Sequence, residues 1–261
     1  MSNTKLRRRA MLGGGGPIEV VDFGLSVKWL KYNLAGDKLT DNECDYGYYY
    51  QWGSTIGYPD ASTHTFDNSN CPYYDASSKS FTKYNSISGS GTIDNKTTLE
   101  PMDDAVTALL GSNYRMPTKD EFVELYNHCT GTSGEAANFN FNIVSGTTSV
   151  SSKGLYFVAS ETTVDGIKYK NAGCLFVGQD ITKRIFLPMC GRCNKSSLEN
   201  MDTYGAYWTS SALDNVSYQE YYKKYGYVGY QYNMEFSKSS TYIPYFRGRS
   251  YGYNVRGVKI A

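Results

Sequence analysis

The side chains best suited to covalent or metal chemistry are scarce in this 261-residue chain: two histidines, His64 and His128, and six cysteines. Two imidazoles leave almost nothing for a Ser-His-Asp triad or a multi-histidine metal site. Cys190-Gly-Arg-Cys193 has the CxxC spacing of zinc and redox motifs. Structural zinc needs two further ligands and no second CxxC or HxxxH run supplies them, so the pair is read as a turn after a strand. These two, with Cys44, Cys71, Cys129 and Cys174, are expected to be thiols, because no secretory signal directs the chain to an oxidising compartment. Asp103, Asp104, Asp120 and Glu121 fall at predicted helix starts, where capping and the helix dipole account for them. Glu100-Pro101-Met102 lacks the third oxygen ligand of a calcium-dependent sugar site, and no Asp-x-Asp cluster offers the roughly six oxygens calcium requires. No catalytic residue, metal or cofactor is expected.

Contact chemistry, by contrast, is abundant. The chain has 26 Tyr against 11 Phe, and 13 of those tyrosines lie between Tyr204 and Tyr253. From Ser217 to Asn254 they mix with Ser, Asn, Gly and Arg, the composition of an antibody paratope. Tyr offers a large amphipathic area with little rotamer entropy to lose, and Arg makes bidentate polar contacts. Tyr242 to Tyr251 lacks alternation and contains Pro244, so it reads as an exposed loop. Tyr242, Ile243, Tyr245, Phe246, Arg247, Arg249 and Tyr251 are its candidate ligand contacts. Tyr218, Tyr221 and Tyr222 form a second candidate patch. Trp208, Tyr232, Met234, Phe236, Val255 and Val258 sit in alternating patterns and are assigned to the core.

These residues need a scaffold, and its fold class is read as α+β, with two helices and several short, mostly antiparallel strands. Val21, Phe23, Leu25, Val27 and Trp29 alternate as in one strand. A strand or tight corner is expected around Trp52, and long loops from Pro59 to Thr98. A first helix is predicted over Pro101–Leu110, with Met102, Val106, Leu109 and Leu110 on its apolar face. A second begins after Thr118, where Thr118 and Glu121 form a capping box; Phe122, Leu125 and Cys129 follow at helical spacing, and Gly131 ends it. Short strands are expected in NFNFNIV, GLYFVA, GCLFV, RIFLPM, TYGAYWTSSA, YQYNMEF and the terminal YGYNVRGVKI. Residues 1–16, with three consecutive arginines and four glycines, read as a flexible basic arm before a domain over 17–261 whose binding segment is about 204–254. Lys plus Arg number 26 and Asp plus Glu 25, a net charge of +1, so no global field draws the chain to nucleic acid or an anionic membrane. No apolar run is long enough to span a bilayer.

Taken in order, VDFGLSVKWLKYNL, YGYYYQWG, LEPMDDA, YRMPTKDEFVEL, IFLPMCGR, YGAYWTSS and YGYNVRGV resemble the Fibrobacter succinogenes major paralogous domain family of gut Bacteroidales, from about Val20 to Val258. The resemblance implies a C-type lectin-like fold with long loop insertions, an architecture shared with formylglycine-generating-type proteins. The same fold class includes the variable proteins of diversity-generating retroelements, whose ligand-binding positions near the C-terminus are rewritten by adenine-directed mutagenesis. Most family members look like exported lipoproteins, whereas this chain has an arginine-rich start, no lipobox cysteine, and an end just after its last motif. Those departures resemble retroelement targets encoded by phages. They imply a virion-associated receptor-binding module, made in the bacterial cytoplasm, whose partners are a bacterial surface protein or glycan and phage tail or fibre components. The alternatives are an exported cell-surface protein of the same family with a fixed ligand and a formylglycine-generating-type enzyme. That enzyme chemistry needs paired cysteines holding copper, and Cys190 and Cys193 do not lie in a matching motif. Adenine changes in AAC or AAT codons reach Tyr, Ile, Phe, Arg and Ser, which covers Tyr242, Ile243, Tyr245, Phe246, Arg247 and Ser250. They never reach Lys, Glu, Gln or Met, so Gln219, Glu220, Lys223, Lys224, Met234, Glu235 and Lys238 are expected to be framework.

Overall fold

The computed structural model describes residues 17–87, 91–137, 141–214, 216–224 and 229–260, apart from the side chains of 136, 137, 219, 222 and 223. The basic arm over 1–16 and the Tyr222 side chain lie outside the described residues. Strands are numbered β1 to β20 and helices α1 to α3 in chain order.

The alternating run after Ile18 is two strands rather than one. The chain turns between β1 (Val20–Val21) and β2 (Val27–Ala35), and the two pair antiparallel, Val20 facing Leu30 and Val21 facing Trp29. On its other side β2 takes β20 (Arg256–Ile260), which in turn pairs with β6 (Tyr114–Arg115), so the two ends of the domain lie side by side. β3 (Lys38–Leu39) folds back on the end of β2. Gly257 in β20 allows close packing, because a Cβ there would stand 2.6 Å from Leu30 Cδ1 and 2.8 Å from Val106 Cγ1 and force those core side chains to shift.

The described residues of 59–98 are mostly loop, as expected, and hold a 3₁₀ turn at Asn68–Asn70 and the small hairpin of β4 (Tyr74–Asp75) and β5 (Ser80–Phe81). Trp52 sits at a buried corner. Helix α1 is shorter than expected, Ala105–Leu110, because Asp104 is its N-cap: one carboxylate oxygen accepts from the amides of Val106 and Thr107, each at 2.9 Å. Met102 therefore precedes the helix and is 72% exposed instead of packing. Helix α2 (Lys119–Thr130) matches its local signals. The Thr118–Glu121 capping box closes both ways, Phe122, Leu125 and Cys129 are buried, and Gly131 stops the helix in the left-handed conformation. A third helix, α3 (Val216–Lys224), was not anticipated and corrects the expected two.

The middle of the chain is β-rich. Strand β14 (Arg184–Pro188) pairs with β13 (Gly173–Val177), β13 with β10 (Gly154–Val158), and β10 in parallel with β8 (Asn142–Val144). All five residues of β10 and of β13 are buried, which is why both read as continuous apolar runs. Short strands β9 (Thr147–Thr148), β11 (Thr162–Val164) and β12 (Ile167–Tyr169) form a side ribbon, and β15 (Arg192–Asn194) and β16 (Ser197–Glu199) form a hairpin. Of all these pairings only β10 with β8 and β11 with β9 are parallel, so the fold is α+β with mostly antiparallel sheets.

The last sheet runs β17 (Tyr204–Ala212), β18 (Tyr230–Ser237), β19 (Ser240–Gly248), β7 (Ala136–Ala137). Met234, Phe236 and Ile243 share one core with Phe122, Leu125 and Cys129 of α2. Trp208, Tyr232, Met234, Phe236, Val255 and Val258 are all buried, as their alternation predicts.

The segments quoted above build the joints between these layers. Trp208 donates its indole N–H to the Tyr50 carbonyl at 2.7 Å, and Trp52 donates to that of Thr209 at 2.8 Å. The Thr209 hydroxyl donates to the Tyr232 carbonyl, the Ser210 amide to that of Pro117, and the Lys119 amide to the Ser211 hydroxyl. Asn254 donates to the carbonyls of Tyr46 and Tyr48. Arg256, fully buried, donates to Asn33 Oδ1 at 2.8 Å and to the carbonyls of Leu30, Lys31 and Phe186.

Candidate ligand-binding face

The segment expected to be an exposed loop is strand β19, and this correction reorders the candidate contacts. Phe236 faces Thr241 and Glu235 faces Tyr242; past a bulge, Asn233 faces Tyr245, Tyr232 faces Phe246 and Gln231 faces Arg247. Glu235 and Asn233 are two residues apart on β18, whereas their partners Tyr242 and Tyr245 are three apart on β19. The extra residue shifts the parity of β19, which is why no alternation is visible in its sequence. Two expected contacts are buried by this arrangement. Ile243 is 0% exposed against the α2 core, and Arg249 is 1% exposed beyond the strand end. The Arg249 guanidinium donates to the carbonyls of Lys83 at 3.0 Å and Tyr84 at 3.2 Å and lies 4.0 Å from the Phe81 ring centroid. Burial pulls its pKa down to about 10. Arg249 is a strut pinning the loops before α1 to the end of β19.

Tyr242, Tyr245, Phe246 and Arg247 lie on β19 and Tyr218 and Tyr221 on α3, whereas Tyr251 follows the strand and stacks on Tyr253 at 5.9 Å between centroids. Tyr242, Tyr245, Phe246, Arg247 and Tyr251 are half-buried, while Tyr218 and Tyr221 on α3 are 49% and 56% exposed. The rings form a continuous belt: Tyr242 to Tyr245 at 5.2 Å between centroids, Tyr245 to Phe246 at 5.4 Å, and Phe246 to Tyr218 at 5.1 Å. Each ring supports the next, so the belt presents aromatic area that is ordered before any ligand arrives.

Arg247 has a different task from the rings beside it. Its Nε and Nη2 grip the two carboxylate oxygens of Glu235 at 2.9 and 3.2 Å, and its guanidinium lies 4.6 Å over the Tyr245 ring. Glu235 is buried and also accepts from Asn233 Nδ2 at 2.9 Å and the Tyr253 hydroxyl at 3.3 Å. Burial works against the charge on Arg247, and Glu235 together with Tyr253, Tyr204 and Tyr245 more than offsets it, so the Arg247 pKa stands above its ordinary value.

Sequence reasoning missed a second arginine. Arg192, between the two CxxC cysteines, is held by Glu199 at 3.0 Å across the β15–β16 hairpin and lies 5.1 Å over Tyr251 and 5.8 Å over Tyr204. Its only sequence signal was an arginine among apolar neighbours, overshadowed by the cysteine spacing.

The cysteines themselves form the expected turn. Cys190 follows β14, Gly191 turns the chain at φ +68°, and Cys193 enters β15. All six cysteines are free and buried. Desolvation pushes Cys190 and Cys193 up to about 12. We therefore expect no labelling of native protein by a thiol-reactive disulfide at pH 8 within minutes, and six thiols per chain after denaturation. Rapid native labelling of Cys190 or Cys193 would contradict this geometry.

The acids weighed earlier are mostly committed as well. Asp104 and Glu121 cap helices, and Glu121 also pairs with Arg115. Asp103 corrects its expected capping role: it accepts from Lys83 Nζ and the hydroxyls of Tyr73 and Tyr84. Asp120 lies in the first turn of α2, 3.8 Å from Lys119 Nζ. Among the described residues no three His, Cys, Asp or Glu side chains converge as a metal site, and no helix is long and apolar enough to cross a membrane.

The chain is thus an α+β protein of mostly antiparallel sheets that carries a belt of tyrosine and phenylalanine beside the Arg247–Glu235 pair. No known protein family, curated protein or solved structure matches it.

Proposed function

We propose that this chain is a non-enzymatic display module with a C-type lectin-like fold, which recognises a bacterial surface ligand through the belt on β19 and α3. It belongs, on this reading, with the variable proteins of diversity-generating retroelements and serves a phage as a receptor-binding module. The observation that carries the reading is a division of labour. Motif residues such as Trp52, Trp208, Asn254 and Arg256 are buried joints, whereas Tyr218, Tyr221, Tyr242, Tyr245 and Phe246 stand on a helix and a strand with part or most of their area open. Such a surface changes specificity by side-chain replacement without disturbing the fold beneath it.

The test is flow cytometry of the fluorescently labelled chain on a panel of gut Bacteroidales strains. A strain that binds the wild-type chain should lose about 30-fold in apparent affinity with the Tyr242→Ser/Tyr245→Ser double variant, equivalent to about 2 kcal/mol from two central aromatic contacts. Equal binding by the folded variant and the wild type would remove the belt as the binding face.

A further inference from the structure

A cleft of about 260 Å³ opens beside the belt, at the start of α3, where two chain segments part company. They run together at the Thr98–Ser211 bridge and the Ala212 amide to Thr97 carbonyl bond, then diverge. One wall carries Asn95, Lys96 and Thr97; the other carries Leu213, Asp214 and Val216. Nothing in the sequence reading pointed to these residues.

We propose that this cleft is a subsite for a single neutral sugar ring, the end of a longer glycan that continues along the belt. Three features specify that class. The volume lies below the roughly 300 to 1,000 Å³ of pockets for drug-sized ligands and suits one six-membered ring. The lining residues include the polar side chains of Lys96, Asn95, Thr97 and Asp214 and the aliphatic ones of Leu213 and Val216. A pyranose has the matching pattern, with hydroxyls around its edge and C–H groups on its faces. The charges do not favour an anion. Lys96 is already paired with Glu100, and Asp214, which accepts from the Tyr232 hydroxyl at 2.9 Å, adds a negative charge of its own.

The position gives the subsite its meaning. Asp214 and Val216 lead directly into α3, whose Tyr218 touches Phe246 of the belt. This inference rests on the belt being the ligand-binding face, and it narrows the ligand from a surface protein or glycan to a glycan.

The experiment is a titration of the full chain with D-glucose, D-galactose, D-mannose, L-fucose and N-acetyl-D-glucosamine, with D-glucuronate as the anionic control, followed in amide proton–nitrogen NMR spectra. At least one neutral sugar should shift the Lys96, Thr97 and Asp214 amides saturably, with millimolar affinity. Lys96→Ala and Asp214→Asn should each weaken that binding by about tenfold, the loss of a hydrogen bond to a charged group. Near-ultraviolet circular dichroism establishes that each variant is folded. Cell binding of the belt variants tests the belt and sugar titration of the cleft variants tests the cleft, so the two readings fail separately. The proposal is overturned if no neutral sugar gives a saturable shift, if both cleft variants bind as well as wild type, or if glucuronate binds more tightly than every neutral sugar.

Discussion

Replacing Arg256 with methionine is expected to cost about 4 kcal/mol of unfolding free energy. The side chain is fully buried and donates to four oxygens, Asn33 Oδ1 and the carbonyls of Leu30, Lys31 and Phe186. It thereby ties the last strand to β2 and to β14. Burial pulls the guanidinium pKa below its ordinary value, a sign that holding this cation inside is itself costly. Methionine returns that cost and nearly fills the volume, yet it leaves the oxygens without their donor, and unsatisfied buried acceptors cost about 1–3 kcal/mol each. Urea unfolding of the two proteins measures the difference. A loss under about 1 kcal/mol would mean that the carbonyls find other donors and that Arg256 is no joint at all.

The second large effect separates Arg247 from the aromatic residues around it. Arg247→Ala should cost about 3 kcal/mol, because it leaves the buried Glu235 carboxylate without its counter-ion. Adding Glu235→Gln should recover most of that loss, since an amide keeps hydrogen bonds to Asn233 and Tyr253 without a charge to desolvate. Tyr242→Ser/Tyr245→Ser should show the opposite pattern, a small stability change and a large loss of binding. Thermal unfolding of wild type, Arg247→Ala, Glu235→Gln and the double variant gives the coupling between Arg247 and Glu235 directly. If Arg247→Ala is neutral, the guanidinium is free to contact ligand, as its place in a tyrosine-rich stretch first implied.

Much of the scaffold was legible because its signals are local. The Thr118–Glu121 box, the apolar spacing of α2 and Gly131 lie within a few turns of one another, so they can be read without knowledge of any tertiary contact. Strand β18 was legible because one of its faces is a core and its parity is unbroken. Strand β19 was not, because its register depends on a bulge against a partner strand, and one extra residue erases the period that identifies a strand. Arg247 and Arg249 were misread for a related reason. Their partners are the Glu235 carboxylate across a sheet and carbonyls at Lys83 and Tyr84 far away in the chain, so only the folded topology shows Arg249 to be a buried strut and Arg247 a half-buried ion-pair partner. Helix α3 lacks a clear apolar stripe, with Tyr218 and Tyr221 both exposed, and periodicity had nothing to register.

The account rests on variable contacts standing upon an invariant frame, and sequencing the 3′ end of this gene across its source community tests that most directly. It predicts adenine-linked substitutions at exposed and half-buried positions such as Tyr218, Tyr221, Tyr242, Tyr245 and Phe246, beside a near-copy template and a reverse transcriptase gene. Glu235, Met234 and Arg256 should be constant. An invariant 3′ end without a template, or variation at Glu235 or Met234, would contradict the account and return the protein to a fixed-ligand role at the cell envelope.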